Sequence, residues 1–204
     1  MPNPDVVAHW HTTARGDNVE RMAGLRVTWR DVQTMPDDGN RYEAIDGEMY
    51  LTPAPSVRHQ LVSMKLADAL LQLLVHSGHG LLVSAPVGVE FLETAEGVQP
   101  DLVFISTARL NIAREDSVQG APDLVIEILS PRTARRDRTI KLQLYRRQRV
   151  AEYWIVDMDV KQIEVWRLAH GATEAERYTD SVPVRLGRQT IGSIELAKVF
   201  DWPP

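Results

Sequence analysis

Two carboxylates and one ammonium group dominate the chemistry open to this chain. Asp101 stands in Gln99-Pro100-Asp101, at the mouth of the apolar run Leu102-Val103-Phe104-Ile105. Glu127 lies inside a second run, Leu124-Val125-Ile126-Glu127-Ile128-Leu129, and Lys141 follows in a basic, helix-like stretch. Runs this apolar belong in a sheet interior, where an ionised carboxylate is costly unless it is paired or holds a metal. Acidic oxygens from neighbouring strands suit a hard divalent cation, and a cation follows on the next helix. A metal-dependent hydrolytic site is the leading expectation.

Each residue also has a plainer explanation. Asp101 alone would be a solvated strand-end acid, and Glu127 would be ion-paired with an arginine of the following helix. Asp123 competes with Asp101, since it too follows a proline at a strand mouth, and alternation puts Asp123, Val125 and Glu127 on one face. Asp137, Lys141 and Tyr145 share one helix stripe, so an ordinary Asp137–Lys141 pair would account for the lysine. Glu43 and His59 are weaker candidates, on a strand and in a first helical turn. The histidines show no zinc spacing, and with no cysteine there is neither a disulfide nor a thiolate site.

Elements must carry these groups to one place. Arg41 to Leu51 reads as two short strands about Asp46-Gly47, the strongest hairpin signal in the chain. Ser56 is the expected N-cap of a long helix, Val57 to His76, with a broad apolar face. Leu81 to Leu92 and Val98 to Ser106 read as two strands around an acidic turn, followed by a polar connection from Thr107 to Gln119. Ala121 to Leu129, apolar on both faces apart from Glu127, is expected at the centre of a sheet. Thr133 should cap a second helix, Ala134 to Gln148, before a hairpin made of Ala151–Asp157 and Gln162–Leu168. The tail from Tyr178 to Asp201 offers short strands and an apolar turn, Leu196 to Phe200. The order predicts an α/β fold, a mixed sheet flanked by helices. Residues 1–24 are expected to be a flexible arm, and 25–204 a single domain.

With 204 residues, 44% of them apolar and 25% charged, the chain can bury one full core. Its net charge of −5 is unevenly spread. Between Pro131 and Val150 eight Lys and Arg face one acid, so that segment is +7 and the remainder −12. Arg132, Arg135, Arg136 and Arg138 are therefore candidates to hold a polyanion on an otherwise repelling body, or else form a solvated helix face balanced by acids elsewhere. No apolar run reaches membrane-spanning length and the start lacks a leader pattern, so the cytoplasm is the expected location.

Taken together, Tyr42-Glu43-Ala44-Ile45-Asp46-Gly47-Glu48, the Pro55 to His59 stretch, Pro100-Asp101 and Ala121 to Pro131 resemble the Uma-two family. The Asp137, Lys141, Tyr145 stripe and Glu152-Tyr153-Trp154-Ile155-Val156-Asp157 extend the match over roughly Thr28 to Phe200. That family belongs to the PD-(D/E)XK restriction-endonuclease-like superfamily. The resemblance implies a mixed sheet flanked by helices with an N-terminal β-hairpin, and a Mg²⁺- (or Mn²⁺-) dependent nuclease cutting nucleic acid, DNA first, as a homodimer. It assigns Asp101 and Glu127 to the metal, with the Ile128 carbonyl, and places Glu43 and His59 near the site. One position departs: the motif's lysine would fall where Leu129 stands, and the resemblance moves the cation to Lys141. The alternative is a catalytically inactive module that keeps the nuclease fold and binds nucleic acid or a protein partner.

Overall fold

A computed structural model describes residues 26–202 and the backbone of the two-residue strand β1 (Val19–Glu20). The arm expected over residues 1–24 otherwise lies outside the described residues. After α1 (Trp29–Val32), capped by Thr28, comes the hairpin β2 (Arg41–Ile45) and β3 (Glu48–Thr52). Asp46 and Gly47 both take positive φ at its turn (55° and 80°), as a two-residue hairpin loop requires. Helix α2 (Val57–Leu70) starts at Ser56, whose hydroxyl accepts from the His59 amide, and runs on through one π turn, Leu71–Val75.

The next stretch departs from expectation. Leu81–Leu92 is two strands, β4 (Gly80–Ser84) and β5 (Gly88–Phe91), and Val98–Ser106 is likewise β6 (Glu96–Val98) and β7 (Leu102–Ser106). Each pair changes sheets, at Ser84–Val87 and at Gln99–Asp101. Pro86 and Pro100 sit in these crossings, where a residue without an N–H interrupts no ladder. The crossings touch, the Ala85 amide donating to the Asp101 carbonyl at 3.0 Å. The connection after β7 also holds a short strand, β8 (Ser117–Gln119), that its polarity concealed.

β9 (Leu124–Ile128) is buried at every position. Thr133 makes no side-chain cap to the helix after it; the Ser130 hydroxyl instead accepts from the Thr133 amide. That helix is α3 (Ala134–Arg136), a π turn over Asp137–Lys141, and α4 (Leu142–Arg147). Strands β10 (Glu152–Asp157), β11 (Gln162–Trp166) and β12 (Glu176–Tyr178) precede the hairpin β13 (Ser181–Leu186) and β14 (Gln189–Glu195). The expected apolar turn is a short helix, α5 (Leu196–Phe200).

The central mixed sheet has the order β12-β11-β10-β9-β7-β4, with β9 parallel to β10 and antiparallel to β7. One face packs Leu124, Ile126 and Ile128 against Val62, Leu66 and Leu70 of α2 and against the terminal hairpin and α5. The other packs Val103, Val125 and Ile155 against Leu144 and Tyr145 of α4 and against the second sheet, β1-β3-β2-β6-β5-β8. Strand alternation turns Glu127 to this second face, so the lone acid of β9 meets the helix that carries Lys141 and Tyr145. Trp29 of α1 lies flat on Gly88 and Gly97: a Cβ on Gly97 would fall 2.1 Å from its ring. Two glycines are thus needed for the hairpin sheet to close over α1.

Candidate active site

Alternation along β2 points Arg41 and Glu43 the same way, toward the crossing that carries Asp101. Arg41 Nη1 donates to Asp101 Oδ1 at 2.8 Å and to the Gln99 carbonyl at 3.3 Å. The other oxygen, Oδ2, accepts from the Ile128 amide at 2.8 Å and lies 3.2 Å from His59 Nε2. Burial alone would raise this carboxyl. His59, Arg41 and the Ile128 amide outweigh burial and hold it at about 2.

Glu127 is differently placed. Its Oε1 accepts from Lys141 Nζ at 2.8 Å and from the Tyr145 hydroxyl at 2.7 Å. Lys141 Nζ also lies 2.7 Å from Glu43 Oε1, which in turn accepts from the Gln99 amide at 2.9 Å. Burial pushes Glu127 up to about 8; Lys141 opposes it, but Asp137, Asp101 and Glu43 add repulsion. Lys141 would be lowered by burial, yet Glu127, Glu43 and Asp137 hold its ammonium at about 12, so it stays charged. The π turn that ends at Lys141 adds a residue to the helical turn, a device recurrent at functional sites.

These groups line a cavity of about 310 Å³. Asp101, Glu127, Lys141 and His59 all border it, and Lys141 leads from there to the buried Glu43. Asp123 is not brought in: at the far end of β9 it accepts from the Ser106 amide at 2.8 Å. The anticipated Asp137–Lys141 pair is not what holds the lysine, whose contacts are Glu43 and Glu127. Among the four candidate arginines, Arg132 and Arg136 border the cavity. Arg136 bonds the Thr52 hydroxyl and covers the Tyr50 ring, 5.5 Å from its centroid. Arg135 is exposed and outside the lining, while Arg138 is drawn 2.9 Å from both Asp157 and Glu164.

Arg41 escaped the sequence reading, although its place two residues before Glu43 on an alternating strand was a usable signal. Asp137 escaped in another way: read as a surface partner, it is buried, with Oδ1 lacking a hydrogen bond. Glu43 Oε2 is buried and unbonded as well.

Could these residues hold a divalent cation? Among the described residues no three His, Cys, Asp or Glu side chains form a preformed metal cage. Magnesium does not need one, since it keeps water and substrate oxygens and takes one or two carboxylates. Four buried acids, Glu43, Asp101, Glu127 and Asp137, here face three permanent cations, Arg41, Arg136 and Lys141. The two unbonded carboxylate oxygens, on Glu43 and Asp137, and the all-oxygen donor set fit a hard cation, which Glu127, raised by burial, would bind with release of its proton.

Two comparisons bear on this geometry. The family described as "Uma2: Putative restriction endonuclease" matches residues 29–197. A solved structure titled "Crystal structure of a putative nuclease belonging to DUF820 from Anabaena variabilis ATCC 29413" is similar in fold, with a TM-score of 0.68. It shares 17% sequence identity, over 85% of this chain and 97% of that one. No curated protein matches.

Proposed function

From the premise that the chain belongs to the Uma2 family, we propose that it is a metal-dependent endonuclease hydrolysing phosphodiester bonds, with DNA as the substrate to test first. One observation carries this reading: the ammonium of Lys141 stands 2.8 Å from Glu127, at the wall of the cavity that Asp101 also borders. The cation absent at Leu129 is supplied from the next helix instead.

In this reading Asp101 and Glu127 hold Mg²⁺ or Mn²⁺, with the Ile128 carbonyl as a third candidate oxygen. When bound, such a cation supplies Lewis-acid polarisation of a phosphoryl oxygen and acidifies water. Lys141, kept charged and fixed by two carboxylates, stabilises negative charge growing on the phosphate as the nucleophile adds. Glu43 and Tyr145 act through others, Glu43 aiming the ammonium and Tyr145 fixing the Glu127 oxygen that faces it. Arg41 and the Ile128 amide keep Asp101 ionised and oriented. His59 bridges Asp101 and the Ile128 carbonyl, within reach of both. Arg132 and Arg136, at the cavity margin, contact backbone phosphates, which gives affinity without sequence information.

The test is cleavage of a panel of single- and double-stranded DNA with Mg²⁺ or Mn²⁺. Wild type should cut, and Asp101→Asn, Glu127→Gln and Lys141→Met should each lose at least a hundredfold. Cleavage surviving in all three variants would remove the assignment. One observation favours a non-catalytic nucleic-acid-binding module: both Asp101 oxygens are already engaged by protein donors. Calorimetric titration separates the readings, because a retired site need not take up Mg²⁺.

A further inference from the structure

A second groove, about 550 Å³, adjoins the catalytic cavity. Arg41, His59, Gln99 and Asp101 border both spaces, so the two meet at the acid assigned to the metal. From that shared end the groove runs between α2, the loop after α1 and the Ser84–Pro86 crossing.

The two spaces differ in chemistry. The catalytic cavity has Arg132, Arg136 and Lys141 along it and suits phosphate. Among the described residues the groove's permanent cation is Arg41 alone, and Arg41 is committed to Asp101. Asp37 adds a negative charge on its rim. A phosphodiester laid here would lose its hydration without gaining a counter-charge, so the groove is not a track for the backbone. Its remaining walls carry apolar side chains and neutral hydrogen-bonding groups. Met35, Met64 and Pro86 supply the former; Asn40, Gln60 and Ser63 supply the latter. Thioethers pack well on aromatic faces, and side-chain amides match the donor–acceptor edges of bases. Met64 is 68% exposed on α2, so its thioether is accessible from the groove.

We propose that this groove receives an unpaired nucleobase of the nucleotide next to the bond that is cut, so that the substrate is single-stranded or locally opened nucleic acid. The inference rests on the nuclease reading above and adds the strandedness of the substrate. A base inside a duplex is stacked on both sides and could not enter, whereas a base on a single strand pays no unpairing cost.

The experiment is fluorescence anisotropy with a short labelled DNA strand, the same strand with one abasic position, and its paired duplex. Calcium replaces magnesium, so that binding is read without turnover. The intact strand should bind up to about tenfold more tightly than the most weakened abasic version as the gap is moved along it, the upper scale of a thioether–ring contact. Ser63→Trp, which fills the groove, should close that gap between intact and abasic strands. Met64→Ala, at an exposed position that cannot compromise folding, should narrow it. Duplex binding weaker than single strand supports a base taken from a free strand. Equal duplex binding with the abasic gap preserved supports a base extruded from its pair. Intact and abasic strands binding alike at every position would overturn the groove assignment and leave the nuclease reading standing. No binding of any strand would overturn both.

Discussion

Lys141 and Glu127 are fourteen residues apart in sequence and 2.8 Å apart in space. The same nitrogen lies 2.7 Å from Glu43, delivered by a different sheet. One ammonium therefore joins the central sheet, the hairpin sheet and the helix between them, in a region where all three side chains are buried.

That arrangement makes Lys141→Met damaging in two ways. Glu127 would lose its cation and Glu43 would keep only Arg136, 3.7 Å away, which costs about 3–5 kcal/mol for a buried pair broken on one side. Urea denaturation should show that loss, and cleavage should vanish even under conditions where the variant is fully folded.

Glu127→Gln separates metal uptake from stability. The amide keeps the shape and can still accept from Tyr145, while it removes the least favourable buried charge of the cluster. Calorimetry should find Mg²⁺ binding abolished, and the melting temperature in metal-free buffer should be equal to or above wild type. A variant that melts lower yet binds metal normally would exclude Glu127 as a ligand.

Arginines near the site should divide by what already holds them. Arg132 is exposed at the cavity edge, and Arg132→Ala should weaken DNA binding for all sequences alike and reduce the salt slope by about one unit. Arg138 is neutralised by Asp157 and Glu164, so Arg138→Ala should leave both quantities unchanged. Binding isotherms across a salt series decide it.

The hairpin is tied down by Glu96, which accepts from the Asp46 amide and pairs with Arg147. Burial would raise this carboxyl, but the Asp46 amide, Arg147 and Thr94 outweigh it and hold it below its ordinary 4.5. A lowered acid adds stability above its unfolded value and loses it as pH falls through the folded one. Glu96→Gln should therefore be less stable at neutral pH and show a shallower loss below pH 4.5, measured by melting across an acid series.

Gly97→Ala would set a methyl 2.1 Å from the Trp29 ring, where neither sheet nor helix has room to give. A loss of about 1–3 kcal/mol follows from overpacking of this kind, with a shifted tryptophan emission as the ring is displaced. Both are read in one fluorescence-monitored denaturation.

Much of this was legible from residue order because short-range chemistry wrote it. Asp46-Gly47 made its turn, Ser56 capped its helix, and β9 was central with Glu127 as its lone acid. The runs Leu81–Leu92 and Val98–Ser106 misled because apolar residues lie on both sides of each break, and apolarity does not say which of two sheets a strand joins. Pro86 and Pro100 marked the breaks, but a proline at a strand's edge looks the same as one between strands. Lys141 was readable as a helix residue and opaque as a partner of Glu43, since only the π turn and the stacking of two sheets bring those side chains together. Asp137 and Arg138 were miscast for one reason: charge along a helix is visible in a string of letters, and the face it turns to solvent is not.

Gln99 occupies a peculiar post between the two hollows. Its amide is bound by Glu43, its carbonyl by Arg41, and its side chain by the Tyr42 carbonyl. Any heritable change that redraws the shared border would tug on the lysine's anchor and on Asp101 at once. Diversification of what the protein accepts is thus steered toward the far rim, to positions such as Met35, Ser63 and Met64, where letters can drift while the chemistry stays put.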